Sequence, residues 1–249
     1  GMASVGKKPF VFTAGAFLAY RSMEFIRDDV CFQNLNVKIV GMGSGLSWSA
    51  LGPTHHTTED ISVLRAIPNL MILSPATPRQ VAACVQTAYE YDGPVYIKIG
   101  MNHEKEYFKD GYVHDVKKSD CLRDGKNIAV FVTGSILDEA MKACEMLEQN
   151  GISVKLINVT TIKPFNENEV LDIVKQIQKI AVIEEHNIYG GLASIISETI
   201  AYNGLNARVI PIGLNDTFAG GYGTHAMVRK VNQLDSISIY QRLKEACKE

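Results

Sequence analysis

The sequence predicts an α/β protein made of two parallel-sheet αβα units. Three observations carry that expectation. Short β-rich runs alternate with longer helical stretches along almost the whole chain. The run VKIVGM (37–42) is apolar and β-branched without alternation, as a strand covered on both faces is. A polar, charged and aperiodic stretch from about 101 to 124 separates two such series.

In chain order, PFVFT (9–13) reads as a strand and FLAYRSMEFIRD (17–28) as a helix. VKIVGM follows as a buried strand, then EDISVLRAI (59–67) as a short helix closed by Pro68. LMILSP is a strand. TPRQVAACVQTAYEYD is a helix with Thr77 as N-cap and Pro78 at its first position, ending at Gly93. PVYIKI (94–99) closes the first series. The second runs as strand 127–134, helix ILDEAMKACEMLEQNG, strand SVKLINV, helix ENEVLDIVKQIQK, strand 180–185, helix LASIISETIAYNG, strand ARVIPIG and two helices near 224–248. Strands joined through helices imply parallel pairing with right-handed crossovers. The divisions are 1–105, a linker 106–124 wrapped over the surface, and 125–249.

Composition narrows the function classes. The chain has 249 residues, a net charge of -2, 46% hydrophobic and 21% charged residues, which suits an ordinary globular protein of one or two domains. No apolar run reaches the roughly 18 residues of a membrane span. The near-neutral balance gives no electrostatic footprint for nucleic acid or an anionic membrane. The start lacks the pattern of a signal peptide. The five cysteines are odd in number and form no CxxC pair, so they read as free thiols of a reducing, cytoplasmic compartment.

In open α/β sheets, ligands meet the loops that leave the carboxy ends of strands. The loop after VKIVGM, GSGLSWSALGPTHHTTED, is about eighteen residues long, and loops of that length are usually functional. It holds the single tryptophan and two of the six histidines. Thr57 or Thr58 is placed to cap the helix that follows, with Glu59 and Asp60 in its first turn. His55 and His56 are either structural histidines bonded to backbone or imidazoles that serve a substrate hydroxyl or relay a proton. As adjacent loop residues they make a poor metal site. Glu184, Glu185 and His186 read as an acid-base or metal site, or more plainly as a polar strand end beside a helix-capping turn. Phe12, Phe17, Tyr20 and Phe25 read, from the residues alone, as core packing. Gly41, Gly43 and Gly45 do not make a dinucleotide fingerprint, since the glycine-capped helix and the acidic residue are missing.

The order KKPFVFT, FIRDDVCFQNLNVKIVG, GLSWSALGPTHHTTEDISVLRAIPNLMILSPATPRQ and GPVYIKIG resembles the pyrimidine-binding domain of transketolases. GPTHHTTEDISVLRAIPN is similar to that family's G-x-T-H-x-x-x-E-D-hydrophobic signature. DEAMKACEMLEQNGISVKLINVTTIKPFN and VIEEHNIYGGLAS resemble the carboxy-terminal transketolase domain, which deoxyxylulose-phosphate synthase and the β subunits of 2-oxoacid dehydrogenases share. The resemblance spans essentially the whole chain.

What it implies is a thiamine-diphosphate enzyme that moves a two-carbon ketol unit between sugars. The diphosphate and Mg2+ would be held by an amino-terminal partner subunit, and the pyrimidine by this chain, in a homodimer or heterotetramer. The family's pyrimidine-protonating glutamate belongs upstream of Gly1, so the pyrimidine-binding domain reads as shortened and the isolated chain as inactive. Phe17 and Tyr20 match the aromatics that stack on the pyrimidine, with Ala14 at the first aromatic position. His55 matches a histidine near the substrate and is the catalytic candidate. Gly43, Leu51 and Met101 stand where the family has a substrate histidine, a hydroxyl-reading aspartate and a phosphate-gripping arginine. The other readings are a non-catalytic interaction or regulatory protein of the same descent, or a component like deoxyxylulose-phosphate synthase.

Overall fold

The computed structural model of the protein describes residues 1–248. The first series comprises β1 (Phe10–Ala14), a π-helical turn Phe17–Arg21, α1 (Met23–Phe25), a second π-helical turn Ile26–Cys31, β2 (Lys38–Met42), α2 (Asp60–Leu64), β3 (Met71–Leu73), α3 (Pro78–Glu90) and β4 (Val95–Ile99). The second comprises β5 (Asp120–Arg123), β6 (Ile128–Thr133), α4 (Leu137–Gln149), β7 (Val154–Asn158), β8 (Thr161–Lys163), α5 (Glu167–Val174), β9 (Lys179–Asn187), α6 (Leu192–Tyr202), β10 (Arg208–Leu214), α7 (His225–Val231) and α8 (Ser236–Lys248).

Two five-stranded sheets result, in the orders β1-β2-β4-β3-β8 and β10-β9-β6-β7-β5. β2, β4 and β6 pair in parallel with their neighbours on both sides, as their mostly apolar sequences suggest. The expected fold class holds, with one amendment: each sheet is mixed. β8 runs antiparallel to β3, and β5 antiparallel to β7. β5 lies inside the stretch read as linker. β8 belongs by sequence to the second series but closes an edge of the first sheet.

Several local expectations are met for the reasons given. The Thr77 hydroxyl accepts the Gln80 N–H at 3.4 Å, with Pro78 beginning α3. Others need correction. The segment 17–28 is not one regular helix but a succession of π and α turns, and π turns often mark functional positions. α5 stops at Val174, and Ile177 beyond it turns into the core. The aromatic cluster does not pack a core within this chain: Phe12 is 69% exposed, and Phe17, Tyr20 and Phe25 are exposed as well.

The core instead joins the two units. Ile39, Ile61, Ile72 and Tyr96 of the first belong to one buried cluster with Phe131, Ile157, Ile180 and Val182 of the second. Ile162, on β8, is buried in that cluster. Among the described residues no helix is long and apolar enough to cross a membrane. All five cysteines are free; Cys31, Cys84 and Cys144 are buried.

Because one core spans both units, they are expected to unfold together. Ile162→Ala should cost about 2–5 kcal/mol through the cavity it leaves. Circular dichroism and tryptophan fluorescence should report the same lowered urea midpoint; two separated transitions would mean that the units unfold independently.

Candidate functional site

The loop between β2 and α2 is closed at its base. Gly45 N–H donates to Thr57 O at 3.2 Å and Thr57 N–H to Gly45 O at 2.8 Å, an isolated antiparallel bridge. Gly43 has φ +79°, and a Cβ there would collide with the Trp48 indole, so only glycine lets that ring lie down on the loop. Trp48 Nε1 donates to Met42 O at 3.4 Å.

His55 precedes that closed base by two residues, and its N–H donates to Gly52 O at 3.0 Å. Its ring meets Phe17 edge-on with centroids 5.0 Å apart and lies 6.4 Å from Trp48. Thr54 Oγ1 and His55 Nδ1 are 2.9 Å apart. Phe17 and Tyr20 are 40% and 38% exposed, so neither side chain is fully covered by this chain. The Tyr20 hydroxyl donates to Glu59 Oε2 at 2.9 Å and accepts from Glu59 N–H at 3.0 Å. Burial, reinforced by the charges of Asp60 and Glu59, pushes that hydroxyl well above its ordinary pKa, so it stays protonated.

The expected threonine cap is absent. Glu59 occupies the N-cap position, and the Thr58 hydroxyl donates to Glu59 Oε1 at 2.7 Å. His56 is buried with neither ring nitrogen hydrogen-bonded. Burial lowers its pKa, against an opposing pull from Glu185.

Below the loop is a buried ion pair. Asp60, wholly buried, accepts from Lys98 Nζ at 2.5 Å and from the Tyr96 hydroxyl at 2.7 Å. Lys98 Nζ also donates to Thr57 O at 2.8 Å, which ties the loop base to β4. Neither residue stands out in the sequence as half of a pair. A lysine inside YIKI resembles one that faces solvent, and only the fold brings Asp60 to it.

The strand end Glu184-Glu185-His186 combines capping with charge. Glu184 accepts the backbone N–H groups of Leu192 and Ala193 at 2.8 and 2.9 Å and so caps α6, in line with the plainer reading of this run. Burial raises its pKa to about 7. Burial lowers that of His186, 3.8 Å away, to about 4. Glu185 accepts from Arg229 Nε and from His225 Nε2, both at 2.7 Å. Against the upward push of burial, these two partners hold it well below the usual carboxylate range. Sequence reasoning missed Lys98, Arg229 and His225, and read Glu59 only as a first-turn acid; each acts through a neighbour distant in the chain. Among the described residues no group of three His, Cys, Asp or Glu side chains is arranged to hold a metal ion.

Of the site residues expected from sequence, the fold brings Phe17, Tyr20 and His55 to one place. Leu51 and Met101 are exposed, and Gly43 is buried beneath Trp48.

The buried charges set two expectations. Lys98→Met strands Asp60 and should cost about 3–5 kcal/mol, read from urea midpoints; adding Asp60→Asn should recover part of that loss. The second concerns pH. The raised Glu184 pKa contributes stability that is complete below 4.5 and is lost as pH rises through about 7. The lowered His186 pKa contributes stability that is complete above 6.5 and is lost as pH falls through about 4. In the intact pair the two slopes offset. Glu184→Gln should therefore make the protein lose stability on acidification, and His186→Asn on raising the pH, in unfolding curves across that window.

Comparison with known proteins agrees with this architecture. Residues 1–101 match the family model for the transketolase pyrimidine binding domain, and residues 117–236 that for the transketolase C-terminal domain. The chain is 34% identical along its whole length to a putative transketolase C-terminal section of Methanocaldococcus jannaschii, covering 78% of that protein. It is 35% identical over 96% of its length to one subunit of an apulose-4-phosphate transketolase of Actinobacillus succinogenes, covering 77% of it. A solved split-gene transketolase, described as an inactive beta4 tetramer, superposes on the entire chain with a TM-score of 0.91 at 29% identity, and the chain covers 79% of it. The chain belongs to the transketolase family, with the family's pyrimidine-binding and C-terminal domains in sequence.

Proposed function

We propose that this chain is the carboxy-terminal subunit of a split ketol transferase and forms its active site with an amino-terminal subunit. The observation that carries the reading is the half-exposed pair Phe17 and Tyr20 beside His55. A pyrimidine needs flat apolar surface to lie against, and these rings supply it. Thiamine diphosphate fits them in that respect, and when bound it supplies the stabilised carbanion on which ketol transfer depends. In this division of labour the proposed partner holds the diphosphate and Mg2+. Relatives described as one subunit of a transketolase and as a C-terminal section support it.

Phe17 and Tyr20 then orient the pyrimidine, and Glu59 keeps the Tyr20 ring in place. His55 donates to, or accepts from, a substrate hydroxyl near neutral pH. Met101 cannot make the charge-assisted bonds that an arginine would make to a phosphate, and Leu51 cannot read a hydroxyl. The substrate is accordingly a sugar or sugar derivative other than the usual pentose phosphates. Two copies of each subunit around two sites is the proposed assembly, and the free thiols suit a cytoplasmic setting.

Calorimetric titration of thiamine diphosphate with Mg2+ tests the proposal, using this chain alone and the chain mixed with its amino-terminal subunit. Binding only in the mixture is expected, weakened by roughly tenfold in Phe17→Ala. No binding in a mixture whose subunits are folded and associated would favour a non-catalytic member of the family. Normal turnover of xylulose 5-phosphate with ribose 5-phosphate would refute the substrate assignment alone.

A further inference from the structure

The second unit leans on the loop that carries Trp48 and His55, through contacts that the ketol-transfer reading does not use. Ser49 Oγ donates to Gly223 O at 2.8 Å. The Tyr222 ring covers Gly52 so closely that a Cβ there would collide with it. Asn102, just past β4, donates from Nδ2 to Ser47 O at 3.2 Å, and the same nitrogen lies 2.9 Å from His225 Nδ1. His225 Nε2 lies 2.7 Å from Glu185 Oε1.

Hydrogen counting fixes the imidazole. A carboxamide nitrogen has only protons to give, so His225 Nδ1 must accept. Nε2 is then the ring atom that donates to the Glu185 carboxylate. Arg229 keeps that carboxylate charged from Nε at 2.7 Å, and its Nη2 donates to Ser135 O at 3.0 Å. A buried anion thus orients an imidazole, the imidazole orients a carboxamide, and the carboxamide holds the backbone carbonyl next to Trp48.

We propose that His225 is a positioning residue: through Glu185–His225–Asn102, the second unit sets the place of Trp48 and so of the His55 ring beside it. The relay is built from contacts within this protein alone, so it stands whether or not the cofactor reading does. It gives the second unit a part in setting the geometry of the loop.

Trp48 is the single tryptophan, so its emission reports the loop without labelling. In the full-length chain, His225→Leu is expected to shift Trp48 emission to the red and raise its acrylamide quenching constant roughly twofold, with far-ultraviolet dichroism unchanged. His225→Gln keeps one acceptor and one donor and is expected to restore both signals. Asn102→Ala changes an exposed residue and leaves the buried charges intact, so it tests the same link even if His225→Leu fails to fold. It is expected to reproduce the red shift, and combining it with His225→Leu should add nothing further. Unaltered Trp48 emission and quenching in Asn102→Ala, or a His225→Gln protein that behaves like His225→Leu, would overturn the proposal.

Discussion

The Asp60–Lys98 pair is the constraint on which the site's geometry rests. A carboxylate and an ammonium removed from water are tolerable only when each finds its partners. Lys98 satisfies Asp60 and the Thr57 carbonyl together, and Tyr96 gives Asp60 a second donor. One ammonium therefore joins β4, the amino end of α2 and the base of the loop. The Gly45–Thr57 bridge lies at that point, so the loop leaves the sheet from a fixed neck. Everything farther out, from Trp48 on Gly43 to His55 against Phe17, is referred to that neck.

The second unit constrains the same loop from its other side. Asn187 N–H donates to Thr58 O at 2.7 Å, and Gly45 lies against the Glu185 side chain with no space for a methyl group. β8 reaches back to β3, and the core continues across the junction. Loops of this length usually remain mobile because their polar backbone belongs in water. Here both ends and the middle are bonded to residues of both units, and Ser44, Ser47, Ser49, Thr57 and Thr58 are buried.

The sequence made the strands and most helices legible because each has a local signal: apolar β-branched runs, the Thr77-Pro78 start of α3, glycine after α4. β5 and β8 carry no such signal. Four residues reading DCLR and three reading TIK are too short to show a period, and they become strands only because a neighbouring edge needs hydrogen-bond partners. The candidate site had a different kind of signal. His55 and Phe17 are far apart in the chain and have no pattern in common, so periodicity could not pair them; the family resemblance named both, and the fold sets their rings 5.0 Å apart. The buried charges were the hardest to see. Lys98, Asp60, Glu184 and Glu185 sit at strand and helix ends, where charged residues normally face water, and pairing across the fold is what lets them be buried.

The surface around β1 bears on how the molecule is used. Phe10, Val11 and Phe12 are exposed along an edge strand, and Phe17, Tyr20 and Phe25 are exposed on the turns that follow. An unpaired edge with this much apolar surface invites association, and single-chain proteins normally blunt such edges with charge or proline. Lys7 and Lys8 precede the strand, but no charge interrupts FVFTA itself. Two of these rings are also the ones proposed to hold the pyrimidine. The apolar surface that a partner would bury and the surface that the cofactor would occupy are therefore continuous in sequence. On the proposed reading, binding a partner and forming the cofactor site would be a single event, because one apolar surface would serve both.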